Sequence, residues 1–105
     1  LQRFIEMLSA NNGRMQPVKK YAQEMCITPK YLSNITKQVT GRTALDWIHS
    51  YTVKAIEKYL RRSNLSIKEI SELLGFPNLS FFGKFTKSHL GMSPTQYRKE
   101  QSMRK

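Results

Sequence analysis

The sequence predicts an all-α fold of seven helices, in which two helix-turn-helix units are joined by a long central helix. Three observations carry that expectation. Apolar residues recur at helical spacing through successive segments, and the aromatic residues do not interleave with the basic ones on strand-like alternations, which argues against an RNA-binding sheet. The longest periodic stretch, Thr43 to Arg62, is one unbroken amphipathic run. The segments on its two sides are imperfect copies of each other. Val18, Tyr21, Ala22, Met25 and Ile27 match Ile67, Ile70, Ser71, Leu74 and Phe76 at an offset of 49, and Gly41 matches Gly91 at an offset of 50. The second copy therefore has a turn one residue longer. A repeat this short does not build a solenoid; it builds a duplicated helix-turn-helix.

Phe4, Ile5 and Leu8 place a first helix in residues 1–12, stopped by Asn11-Asn12-Gly13. The chain begins on Leu rather than Met, inside what reads as a helix already under way, as expected of a piece of a longer protein. Pro17 opens the second helix, with Val18, Tyr21, Ala22 and Met25 as its buried stripe. After the connection Cys26-Ile27-Thr28, Thr28 caps a third helix and Pro29 takes its first position, where a missing N–H costs nothing. Tyr31, Leu32, Ile35 and Val39 are expected to line its inner side, and Gly41 ends it. In the central run, Thr43 and Asp46 give a helix start, and Arg61 with Arg62 sits where cations favour a helix end. Its expected buried stripe is Ala44, Ile48, Tyr51, Ala55 and Tyr59, widened by Leu45, Trp47, Ile56 and Leu60. Ser66 and Glu69 form a capping box ahead of a fifth helix with Ile67, Ile70, Leu73 and Leu74 inward. Asn78 caps a sixth helix from Leu79 to Leu90, and Gly91 stops it. Phe81, Phe82 and Phe85, beside Phe76, are read as core. Ser93-Pro94 with Gln96 opens a short last helix carrying Tyr97, and Gln101 to Lys105 reads as a frayed basic tail. The expected organisation is one domain over 1–105: a first helix plus helix-turn-helix at 1–42, a linker helix at 43–62, and a second helix-turn-helix with a terminal helix at 63–101.

Eighteen Lys and Arg stand against seven Asp and Glu, a net charge of +11. On a chain this small such an excess points to a polyanionic partner, and charge alone does not separate DNA from RNA or an acidic membrane surface. No apolar run approaches the roughly 18 residues of a membrane-spanning helix, and no signal peptide is visible. The single cysteine, Cys26, excludes an intramolecular disulfide and fits a reducing, cytoplasmic setting. In its turn it reads as a small apolar filler rather than a reactive thiol. His49 and His89 have no metal-ligand spacing, and no paired carboxylates, nucleophile elbow or glycine-rich phosphate loop is present. No metal, cofactor or enzymatic activity is therefore expected.

In each unit the second helix has the dimensions of a major-groove reader, with residues at about 29–40 and 79–90. Its exposed face in the first unit is Lys30, Ser33, Asn34 and Lys37. Asn34 can pair bidentately with adenine, while the lysines reach guanine or phosphate. The corresponding face in the second unit is Leu79, Ser80, Gly83, Lys84 and Lys87. Leu79 offers no hydrogen bond, so this unit reads a thymine methyl or serves mainly phosphates. Gly83, in mid-helix, costs about 1 kcal/mol against Ala. It either lets the backbone approach DNA closely or relieves crowding against a neighbouring helix. The basic pairs Lys19-Lys20, Arg61-Arg62 and Arg98-Lys99 are placed to meet phosphates near helix ends. The central run, at about 20 residues and 1.5 Å each, spans roughly 30 Å, close to the ~34 Å of one B-DNA turn.

Gly75-Phe76-Pro77-Asn78, Ser80-Phe81-Phe82, Lys84, Lys87, Gly91-Met92-Ser93-Pro94 and Tyr97-Arg98 resemble the signature of AraC/XylS-type bacterial transcriptional regulators. Ile27-Thr28-Pro29, Tyr31-Leu32-Ser33, Lys37 and Gly41 resemble the first helix-turn-helix of the same family. The resemblance implies sequence-specific binding of double-stranded DNA, with both recognition helices in successive major grooves on one face. By position it assigns base contacts to Lys30, Ser33, Asn34, Leu79, Ser80, Gly83 and Lys84. Phosphate contacts are expected at Lys19, Lys37, Arg61, Arg62, Lys87 and Arg98. It also implies RNA polymerase as a partner, and a sensing and dimerisation region N-terminal to these residues. The chain departs from the family at Thr36 and Thr86, where Phe is usual; both thin the core, and Ile35 and Phe85 next door compensate. The competing reading is a nucleoid-type protein that coats nucleic acid without reading it.

Overall fold

The computed structural model describes residues 1–103; Arg104 and Lys105, the end of the expected basic tail, lie outside the described residues. Seven α-helices make up the described chain: α1 (Gln2–Ala10), α2 (Val18–Glu24), α3 (Pro29–Thr40), α4 (Ala44–Arg62), α5 (Ile67–Leu73), α6 (Leu79–Leu90) and α7 (Pro94–Met103). Gln101 to Met103, expected to be frayed, continue α7. The chain divides into two compact units, Leu1–Thr52 and Val53–Lys105, and the division falls inside α4.

The helix boundaries follow from local chemistry. The hydroxyl of Thr28 accepts from the Tyr31 N–H at 3.1 Å and the Asn78 carbonyl oxygen from the Phe81 N–H at 2.8 Å, so α3 and α6 each start on a side-chain cap. Both end on a glycine in the left-handed region, Gly41 and Gly91. At α5 the capping box is complete: Ser66 accepts from Glu69 N–H at 3.0 Å, and Glu69 accepts from Ser66 N–H at 2.9 Å. Thr43 and Asp46 make the same reciprocal pair at 3.1 Å in each direction. The Thr43 N–H holds the Asp46 carboxyl below the ordinary carboxylate range, and the Ser66 N–H does the same for Glu69.

The duplication is geometric as well as sequential. Helices α2 and α5 have seven residues each, and α3 and α6 have twelve. The turns leaving α2 and α5 are the same Schellman motif. Cys26 N–H donates to Gln23 C=O and Ile27 N–H to Ala22 C=O, while Gly75 N–H donates to Glu72 and Phe76 N–H to Ser71, all at 3.0–3.1 Å. That motif demands a positive φ, which Gly75 supplies at 80° and Cys26 at 59°. Cys26 is exposed, so it is not the apolar filler expected; it is a non-glycine residue held in a glycine position. An L-residue there costs roughly 1–2 kcal/mol, part of which glycine would return to the flexible unfolded chain. Cys26→Gly should therefore add about 0.5–1 kcal/mol of stability, read as a higher urea midpoint at an unchanged slope, whereas Cys26→Ala should not.

In the first unit Phe4, Leu8, Tyr21, Ala22, Leu32, Ala44 and Ile48 form the core. Phe4 meets Tyr21 edge-on, with centroids 5.5 Å apart. Burial raises the Tyr21 phenol above its ordinary value, and its oxygen accepts from the Asn11 side-chain amide at 2.9 Å. In the second unit the buried apolar residues include Ile56, Leu60, Ile70, Leu74 and Phe82. Phe76 packs edge-on against Phe82 and Phe85, at 5.0 and 5.3 Å. Helix α2 packs on α3, α5 on α6, and α6 on α7.

Several residues expected inside are outside. Tyr31, Val39, Leu45, Leu73 and Phe81 are all exposed by about half or more. In their place threonine enters the core: Thr36, Thr52 and Thr86 are fully buried. On α4 the buried row is Ala44, Ile48, Thr52, Ile56 and Leu60, an i, i+4 series, while Tyr51, Ala55 and Tyr59 are only partly covered. A helical threonine can hide its hydroxyl on its own backbone. Thr36 donates to the Leu32 carbonyl at 2.6 Å and Thr52 to that of Ile48 at 3.1 Å. The Thr86 hydroxyl oxygen, by contrast, is a buried atom without a hydrogen-bond partner.

Candidate nucleic-acid interface

In the first unit α3 is fixed at both ends. Besides the Thr28 cap, its last turn is held by Thr40, whose hydroxyl donates to the Thr36 carbonyl at 2.7 Å and accepts from the Trp47 indole N–H at 2.9 Å. The Arg42 guanidinium lies 4.7 Å over the Trp47 ring and donates to the Asp46 carbonyl. With Leu32 and Thr36 buried, the opposite face is left to solvent. Lys30, Asn34 and Lys37 are exposed on it and Ser33 is half-buried. The structure thus brings these four onto one rigid helix. Lys19 and Lys20 are exposed on α2.

In the second unit Phe82, Phe85 and Thr86 anchor α6 inward. Leu79, Ser80, Lys84 and Lys87 are exposed, and Gly83 is partly covered. Of the two readings of Gly83, crowding by a neighbouring helix is excluded: a Cβ built there meets no atom within 4 Å. The His89 ring stacks on Phe85 at 4.2 Å, and its Nδ1 lies 3.0 Å from the Phe85 carbonyl.

Arg61 and Arg62 are exposed at the end of α4. Arg98, expected among the phosphate contacts, has another task. Its Nε donates to Leu60 C=O at 3.1 Å, its Nη1 to Leu65 C=O at 2.7 Å, and its Nη2 to the carbonyls of Tyr59 and Ser63 at 3.2 and 3.3 Å. These include the Leu60 carbonyl in the last turn of α4, where helix carbonyls lack intrahelical partners, so the guanidinium caps that helix from α7. Next to it the Tyr97 hydroxyl donates to a Glu57 carboxylate oxygen at 3.1 Å.

Sequence reasoning missed one pair of surface residues. Tyr31 is 54% exposed and Phe81 49%, and they occupy equivalent positions in the first turns of α3 and α6. Helices α3 and α6 therefore each present an aromatic edge beside the polar face. The offset of 50 aligns them but carries no signal of exposure, since the sequence reads both copies as core.

A protein family described as a helix-turn-helix domain matches residues 21–100. The chain is 36% identical over 62 residues to the transcriptional activator NphR of a Rhodococcus species, covering 59% of this chain and 18% of that protein. It is 28% identical over 95 residues to the Msm operon regulatory protein of Streptococcus mutans, covering 90% of this chain and 34% of the relative. The chain thus spans between about a fifth and a third of the length of these relatives. Among solved structures, the DNA-binding domain of AdpA, a global transcriptional factor crystallised with a target DNA, superposes with a TM-score of 0.87 at 19% identity, covering 99% of this chain and 94% of that one. That likeness shows the fold. With two matched helix-turn-helix units and a family match over most of its length, the chain belongs to the AraC/XylS-type helix-turn-helix family, a family of transcription-regulator DNA-binding domains and not of enzymes.

Proposed function

We propose that this chain is the sequence-reading part of a bacterial transcription regulator, with α3 and α6 each entering a major groove of double-stranded DNA and the two grooves successive. The observation that supports it most is the pair of units with equal helix lengths, side-chain caps on α3 and α6 and the same Schellman turn, each turning a polar helix face to solvent. Lys30, Ser33 and Asn34 read base edges in the first unit, and Leu79, Ser80, Gly83 and Lys84 lie against them in the second. Lys19, Lys37, Arg61, Arg62 and Lys87 neutralise phosphates, which supply most of the affinity. We further assign RNA polymerase as the partner on the promoter, the cytoplasm as the compartment, and any dimerisation to segments beyond these residues.

Selection of bound duplexes from a random pool tests the reading. Two preferred elements about 10 bp apart are expected; equal binding of all sequences at every salt concentration would instead favour a nucleoid-type coat. Asn34→Ala should relax the preference at one base pair by about 1–3 kcal/mol and leave the salt slope alone. Lys19→Ala should weaken every sequence alike and lower the slope by about one unit. A base-selective loss from Lys19→Ala would move it from the phosphates to a base.

A further inference from the structure

We propose that α6 recognises thymine by apolar contact, seating the C5-methyl of a thymine between Leu79 and the bare backbone at Gly83. The inference rests on the DNA-reading role above and narrows it. Leu79 is 48% exposed at the first position of α6. A lone exposed leucine is ordinary, but Gly83 stands one turn further along the same face, where residues four apart are neighbours. Nothing among the described residues accounts for glycine at that position. A Cβ there would stand in open space, and Gly83 is not among the positive-φ residues, so neither packing nor backbone conformation calls for it. The roughly 1 kcal/mol of helix propensity that glycine forfeits is then spent on a surface that lets something outside come close.

The chemistry of the face says what that is. Leu79, Ser80, Lys84 and Lys87 are exposed on the same side of α6 as Gly83. The lysines match the charge of phosphates and guanine edges, and the net charge of +11 favours the duplex as occupant. Leu79 and Gly83 can neither donate nor accept through a side chain. The one apolar group that the major groove presents is the thymine methyl. Phe81, the other exposed apolar residue of this turn, lies on the side of Phe76 of its own unit, with ring centroids 6.1 Å apart.

The test uses the full chain and a duplex selected from a random pool. The element whose preference relaxes in Asn34→Ala belongs to α3, so the other belongs to α6. Each thymine of that second element is replaced in turn by deoxyuracil, which removes only the methyl. At one position wild-type binding should fall about fourfold, the value of burying one methyl-sized group. Leu79→Ala should bind the thymine and deoxyuracil duplexes equally. Gly83→Ala should weaken the thymine duplex while raising the thermal midpoint, which separates reading from folding. A selected element without thymine, equal wild-type affinity for both duplexes, or a methyl preference that survives Leu79→Ala overturns the proposal and leaves the DNA-reading role standing. A pool that yields no preferred sequence overturns both.

Discussion

Replacing Phe4 with Ala is expected to cost about 3–5 kcal/mol, the range for emptying a fully buried phenylalanine site. Phe4 is inaccessible to solvent, stands edge-on to Tyr21, and shares its cluster with Leu32 of the first reading helix. Helix α1 lies ahead of residues 21–100, the stretch that matches the family, yet it supplies two core residues, Phe4 and Leu8, to the first unit. Asn11 at its end holds the Tyr21 hydroxyl, and Arg3 donates to the last α2 carbonyl, of Glu24, at 3.3 Å. A stability of 5–15 kcal/mol is typical of a domain this size, so the loss takes much of what the unit has. Trp47, the only tryptophan, belongs to the first unit and reports its melting directly. Its fluorescence should change at much lower urea in Phe4→Ala, while amide protection in α5 and α6 persists. A shift below about 1 kcal/mol would make α1 an ornament of the first unit and not part of its core.

Arg98→Ala should destabilise the second unit by about 2–4 kcal/mol, with the damage centred on the end of α4 and on α7. Hydrogen bonds to a charged group contribute about 1.5–3 kcal/mol each in favourable cases. Four shared by one partly exposed side chain fall well short of additive. Lysine brings the charge but not the planar fork, so Arg98→Lys should recover less than half of the loss. In thermal melts the alanine variant should drop by roughly 4–8 °C per kcal/mol. The salt slope of DNA binding separates this capping role from a phosphate contact. An unchanged slope in Arg98→Lys and Arg98→Ala alike is expected; a slope lowered by about one unit in the alanine variant would return Arg98 to the phosphates.

What could be read from the residues was what their immediate neighbours decide. Thr28, Thr43, Ser66 and Asn78 cap helices because each donor lies three residues away, and Gly41 and Gly91 end helices because left-handed backbone suits glycine. The duplication was legible for the same reason, being written in local turns. The inner faces were only half legible. Periodicity locates an apolar stripe on a twelve-residue helix, but Tyr31 and Phe81 border the stripe on the side that faces outward. Threonine was passed over as polar, although a hydroxyl returned to the i−4 carbonyl leaves Thr36 and Thr52 with the outline of valine. Arg98 could not be read at all, since its acceptors lie 33 to 39 residues earlier in the chain.

The open space above Gly83 bears on how this protein would be engineered. A screen that rewards heat resistance would enrich Cys26→Gly and Gly83→Ala together, because each relieves a backbone penalty where no internal packing is lost. The first touches only a turn. If Gly83 seats a thymine methyl as proposed, the second would trade that contact away, and the hardiest variants from such a screen would be its poorest readers.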